Sequence, residues 1–144
     1  MYNISVFISH SWAYSEHYNT LSAWIFGESW NVGGIPINFH DTSVPKENAI
    51  DYANSDEELR NAIYARIRVS DVVLIPTGMY IDHSNWIQKE LEGSFYYKKP
   101  ILAVSPWAQE KKASIVASAA KLQVGWSKNS VVTGIWRAKM NNGA

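Results

Sequence analysis

The chain has no cysteine, which excludes disulfides, thiolate metal sites and cysteine nucleophiles together and fits a reducing compartment, so the cytoplasm is the expected location. It has no excess of either charge: Lys plus Arg and Asp plus Glu are both 13, for a net charge of +0 at pH 7. Without a long-range field to gather polyanions, neither nucleic acid nor anionic lipid is an expected partner. Long hydrophobic runs are missing too. The longest aliphatic stretch, Val72 to Ile75, is closed by Pro76, far short of the roughly 18 apolar residues of a membrane span. Met1-Tyr2-Asn3-Ile4-Ser5-Val6 has no basic region leading into an apolar one and does not read as a secretion signal. Neither G-x-G-x-x-G nor a P-loop occurs, so dehydrogenase or kinase chemistry on a glycine-rich phosphate cradle has no support.

What is present is enough apolar surface for one core. With 144 residues, 47% hydrophobic and 18% charged, the composition predicts a single globular domain over residues 1–140 with a fraying tail at 141–144. The 7 Trp and 8 Tyr exceed what a small core needs, so some belong in clefts or contacts.

Ile4-Ser5-Val6-Phe7-Ile8, running into Ser9-His10-Ser11, has the pattern of a buried first strand. Apolar positions at three- and four-residue spacing predict a helix from about Tyr14 to Trp30, broken by Gly33-Gly34. Ile35 to Phe39 alternates as an edge strand does, and the polar stretch Asp41 to Asn54 is long for a plain connection and borders the expected site. Ser55-Asp56-Glu57-Glu58 is a capping box opening a helix through Leu59, Ile63 and Ile67. Val72 to Ile75 reads as a central strand. Ser84 caps a helix whose core face is Ile87, Leu91 and Phe95, stopped at Lys98-Lys99-Pro100. A strand at Ile101 to Val104, a helix at Glu110 to Ala120, a strand at Leu122 to Trp126 and a helix at Asn129 to Lys139 complete the alternation. The pattern predicts an α/β, flavodoxin-like three-layer sandwich: a doubly wound, mostly parallel five-stranded sheet with helices on both faces. Ligands of such sheets bind at the carboxyl ends of the strands.

Those ends present Ser9, His10 and Ser11, then His40 and Asp41, then Thr77 to Tyr80. Ser9, His40 and Asp41 make a hydrolytic triad on paper, but the G-x-S-x-G elbow it needs is absent. His10, His17, His40 and His83 follow no metal-ligand spacing, so no metal is expected. A phospho-receiver would need acids at the end of the first strand, where none stands. Trp86, Glu90 and Gly93 share a helical stripe beside the core stripe. On spacing alone Glu90 is either an ordinary solvated residue near Lys89 or a carboxylate at a cleft wall. Gly93 marks either a close packing contact or open space beside it.

Taken in order, Val6-Phe7-Ile8-Ser9-His10-Ser11, Ile67 to Ile75, Ser84-Asn85-Trp86-Ile87-Gln88-Lys89-Glu90-Leu91 and the Lys98 to Ile101 turn resemble the boxes of TIR domains. Asp41-Thr42-Ser43-Val44-Pro45, Pro106-Trp107 and Val124-Gly125-Trp126 resemble the bacterial TIR-like branch that includes the sensor of the Thoeris antiphage system. The resemblance implies an NAD-consuming enzyme that cleaves the nicotinamide–ribose bond, with NAD as substrate and no further cofactor. It also implies release of an ADP-ribose-derived signal, often cyclic, that activates a separate effector after an unidentified phage trigger. By the family pattern Glu90 is catalytic, Phe7, Ser9, His10, Ser11, Ser84 and Trp86 line the nucleotide pocket, and the loop from Asp41 to Pro45 covers it. Trp12, Tyr80, Trp86 and Trp107 are candidate rings for adenine. Self-association through TIR–TIR contacts is expected. The alternative reading is a non-catalytic TIR adaptor that works through those contacts alone.

Overall fold

A computed structural model describes residues 2–9, 15–44, 56–77, 84–105, 116 and 119–141. The β-branched and aromatic run Tyr2–Ile8 forms strand β1, and it is followed by α1 (Ser15–Phe26), β2 (Trp30–Val32), β3 (Ile35–Asp41), α2 (Asp56–Arg68), β4 (Val72–Pro76), α3 (Ser84–Tyr96), β5 (Ile101–Ser105), β6 (Leu122–Gly125) and α4 (Lys128–Asn141). Among the described residues six strands form one sheet in the order β2-β3-β1-β4-β5-β6. Five of them, β3 to β6 along the sheet, are parallel as the alternation predicts. The sixth, β2, is an added antiparallel edge strand on β3.

β1 lies in the middle because its successors build outward on both sides of it. Tyr2 through Val6 align with Ile37 through Asp41 of β3, and Val6 through Ile8 align with Val72 through Leu74 of β4. The chain therefore reverses its direction of growth between β1 and β4, and the carboxyl ends of those two strands flank the switch point where such sheets open a crevice.

Strand alternation divides the core in two. Ile4, Val6 and Ile8 of β1, Val72 and Leu74 of β4, and Leu102 and Val104 of β5 pack against Leu21 and Ile25 of α1 and Val131, Ile135 and Ala138 of α4. Phe7, Val73, Ile75, Ile101 and Ala103 point the other way, against Ile63 and Ile67 of α2 and Ile87 and Leu91 of α3. Asp71 fastens the base of the sheet: its Oδ2 accepts from the Ser5 N–H at 2.8 Å, and its Oδ1 pairs with Lys139 of α4 at 2.9 Å.

Three expectations are corrected. The first helix stops at Phe26, not Trp30. Trp30 belongs to β2, and its indole N–H returns to the Trp24 carbonyl at 3.0 Å, so strand residues packed on the same core as the helix mimic its periodicity. Gly33 and Gly34, with φ of 59° and 82°, are the turn of the β2–β3 hairpin, a pair of positive φ values that two-residue hairpins favour. Phe95, expected in the core, is 60% exposed. A Cβ on Gly93 would meet Tyr64 at 3.0 Å and Ile67 at 3.1 Å, so α3 lies hard against α2 at Gly93, which turns Phe95 outward. The close-contact reading of Gly93 is the correct one. Most of the helix expected over Glu110 to Ala120 lies outside the described residues, as does the Ser55 cap. Among the described residues no helix is long and apolar enough to cross a membrane.

Candidate active site at the switch point

The chain stays extended for one residue past β1, and the Ser9 N–H bonds the Leu74 carbonyl of β4 at 2.8 Å. Alternation then turns the Ser9 side chain to the face of Phe7, toward α3. Glu90 meets it from mid-helix, because Ile87 and Leu91 grip the core on either side and leave position 90 facing the strand ends. Glu90 is 0% exposed.

Both of its carboxyl oxygens are held. The Ser9 hydroxyl donates to Oε1, and the Trp86 indole N–H donates to Oε2 at 2.8 Å from one turn earlier in the helix. Ser94 donates to the Glu90 carbonyl at 2.7 Å, fixing the helix backbone below. The donors are neutral, and among the described residues no cation compensates the carboxylate. Burial accordingly pushes the Glu90 carboxyl up from 4.5 to about 8, against the opposing pull of the Ser9 and Trp86 hydrogen bonds. Burial of this kind favours the neutral form of the carboxyl group, and an arriving cation favours the charged one.

A second cluster borders the first. Asp41, the last residue of β3, accepts from the Tyr18 hydroxyl of α1 at Oδ2 and from the Ser43 N–H at Oδ1, 2.9 Å. The Ser43 hydroxyl in turn accepts from the Ile8 N–H at 2.8 Å. The segment leaving β3 is thus stapled to the end of β1, one residue before Ser9. Burial, followed by the bond to Asp41 and its charge, holds the Tyr18 phenol well above its usual range.

The structure brings Ser9, Trp86 and Glu90 together as a bonded unit and places Asp41 beside them through Ser43. Phe7 is 1% exposed, in the core directly below. Ser84 is the first residue of α3. His10, Ser11, Trp12, Tyr80 and Trp107 lie outside the described residues. His40 faces Asn3 and Asn38 on the outer side of β3, so the paper triad with Ser9 is not assembled. Two participants escaped the sequence reading as site residues. Ser43 sits in a loop marked only by its length and resemblance, and Tyr18 stands at an apolar position of α1, where helical spacing reports its ring and not its hydroxyl.

Residues 7–111 match the family described as Thoeris protein ThsB, TIR-like domain. The chain belongs to that family. The match covers both the Ser9–Trp86–Glu90 unit and Asp41, and it stops before β6 and α4. No curated protein matches the chain. Membership of the ThsB TIR-like family accounts for the parallel five-strand core and for its association with antiphage defence.

Proposed function

We propose that this ThsB-family domain cleaves the nicotinamide–ribose bond of NAD and releases an ADP-ribose-derived signal, cyclic or linear, that activates a separate antiphage effector. The observation that carries the reading is the fully buried Glu90 with both oxygens held at the switch point of the sheet. Polar groups in this degree of burial are expensive without a use.

The chemistry suits a single carboxylate. Nicotinamide leaves from a cationic ring, so the C1′–N bond breaks with its electron pair going to the ring nitrogen, and the departing group is neutral and needs no acid. The ribose left behind is oxocarbenium-like and is stabilised by a nearby carboxylate. Approach of the cationic ring favours ionisation of Glu90, its proton passing to solvent as the substrate enters, so binding itself would generate the charged form that the reaction requires. Ser9 and Trp86 fix the carboxylate in one orientation, which keeps reorganisation small when charge develops. A nucleophile then adds at C1′ and loses a proton: water gives ADP-ribose, and an atom of the same ADP-ribose gives a cyclic product where water is excluded. Self-association through TIR–TIR contacts, completing the pocket, belongs to the same reading.

The test is mass spectrometry of small molecules from phage-challenged cells that express the wild type or Glu90→Gln, a swap that keeps size and removes charge. Nicotinamide and an ADP-ribose-type product are expected with the wild type alone, and the product mass separates cyclisation from hydrolysis. Equal metabolites with protection intact in both strains would replace this reading with an adaptor acting through protein contacts.

A further inference from the structure

Among the described residues the buried hydroxyls are satisfied with one exception. Ser9 bonds Glu90, Ser43 takes the Ile8 N–H, Ser70 donates to the Arg66 carbonyl at 2.7 Å, and Ser94 donates to the Glu90 carbonyl at 2.7 Å. Thr77, 0% exposed at the end of β4, has no partner for its Oγ1. Its backbone is in order, with the N–H bonded to the Val104 carbonyl at 2.7 Å. The side chain alone is unmatched, at a position where valine would have the same shape and no polar atom to satisfy.

Its place in the sheet says what the hydroxyl is near. Val73 and Ile75 of β4 lie in the core under α2 and α3 with Phe7 of β1, so alternation points Thr77 and Ser9 to that same face. The Ser9-to-Leu74 bond fixes the register between the strands. Thr77 therefore stands one strand over and two residues beyond the level of Ser9, about 8 Å away by ordinary sheet spacing. That is close to the span of a nicotinamide riboside from ribose hydroxyl to carboxamide.

We infer that Thr77 is a ligand-binding residue of the Glu90 site, its buried hydroxyl left unpaired in the free protein and used to bond a ribose hydroxyl or the nicotinamide carboxamide of the bound dinucleotide. The inference rests on the NAD reading above and adds to it the group that Thr77 contacts. A hydroxyl both donates and accepts, so it can serve either group.

The test compares the full-length wild type with Thr77→Val and Thr77→Ser in thermal melts and in calorimetric titrations with NAD and ADP-ribose. Thr77→Val is expected to melt no lower than the wild type and to bind NAD about tenfold more weakly, with Thr77→Ser returning to within about twofold. Weakening toward NAD alone identifies the carboxamide as the partner, and weakening toward both ligands identifies a ribose hydroxyl. A lower melting temperature for Thr77→Val would show that the hydroxyl already has a partner within the protein and overturn the inference, as would unchanged NAD affinity. A wild type that does not bind NAD removes the functional reading itself and this inference with it. That failure is visible before any variant is made.

Discussion

The two faces of the sheet are built from similar aliphatic residues and do different work. The face under α1 and α4 is an apolar seam closed by rings: Trp24, Trp126 and Trp136 pack around it, and the buried polar side chain on its helices, His17, lies edge-on to Trp126 with ring centroids 5.4 Å apart. The face under α2 and α3 has an equally aliphatic floor, but its carboxyl-end rim gathers Ser9, Thr77 and Glu90, all fully buried. Apolar burial supplies most of the stability in both places. Among the described residues three fully buried polar side chains gather at that one rim, and the concentration marks it more sharply than any single residue type.

If the comparison is right, substitutions on the two faces should separate stability from chemistry. The largest expected effect is that of Glu90→Gln, which should lower nicotinamide release by at least about 10³-fold, the scale of losing one preorganised electrostatic group, without loss of melting temperature. Its pH behaviour is the sharper check. Glu90 holds its proton to about 8 when folded against 4.5 as the ordinary value, so between those values the folded state binds a proton that the unfolded state has lost. Stability should therefore fall as pH rises through that window, by no more than about 1.4 kcal/mol per pH unit, and urea titrations of Glu90→Gln should lack that slope.

On the opposite face the expected result is reversed. Ile135 of α4 is 0% exposed, and Ile135→Ala should lower unfolding free energy by about 2–5 kcal/mol in denaturant titrations, with turnover per folded molecule unchanged. A loss of turnover there would mean that the two faces are coupled and that the division is wrong. Ser9→Ala should act on the pH axis: removing a hydrogen bond that pulls Glu90 down moves the rising limb of the kcat/KM profile to higher pH, and a limb that stays in place would separate Ser9 from the ionisation of Glu90. The smallest effect belongs to the far edge. Gly34 has φ of +82° and nothing within 4 Å of an added Cβ, so Gly34→Ala should cost about 1 kcal/mol of backbone strain, with NAD chemistry untouched.

How legible all this was in the sequence depended on whether a signal was local. Strands β1, β4 and β5 announce themselves because central parallel strands are apolar on both faces, and the Trp86–Glu90 spacing could be read because four residues make a helical turn. Glu90 as a buried group could not be read from spacing, since a solvated glutamate at the same position has the same neighbours in sequence, and only the resemblance to TIR domains preferred it. Spacing puts Phe95 in the core because a repeat of four drifts around a helix, and the tight contact at Gly93 decides which side of the drift faces inward. Spacing alone carries α1 on to Trp30, because nothing local signals that Trp30 pairs with Ile37. The unmatched hydroxyl of Thr77 and the Tyr18–Asp41 contact exist only in three dimensions. Tyr18 and Asp41 are 23 residues apart, beyond the reach of any periodicity.

The bond between Ser9 and Glu90 joins residues 81 positions apart, across β1 and α3. During synthesis the serine emerges early, while its acid partner is held back until β4 and the helix behind it have left the ribosome and docked. Contacts of such long range form late, after the loop-closure entropy of the intervening chain has been overcome. A nascent or truncated chain that ends before α3 therefore has a complete first strand and no Glu90 carboxylate to meet Ser9. Under the proposed function, the capacity to consume NAD would arrive only once α3 has docked on β1, so an unfinished copy would leave the cell's dinucleotide supply intact.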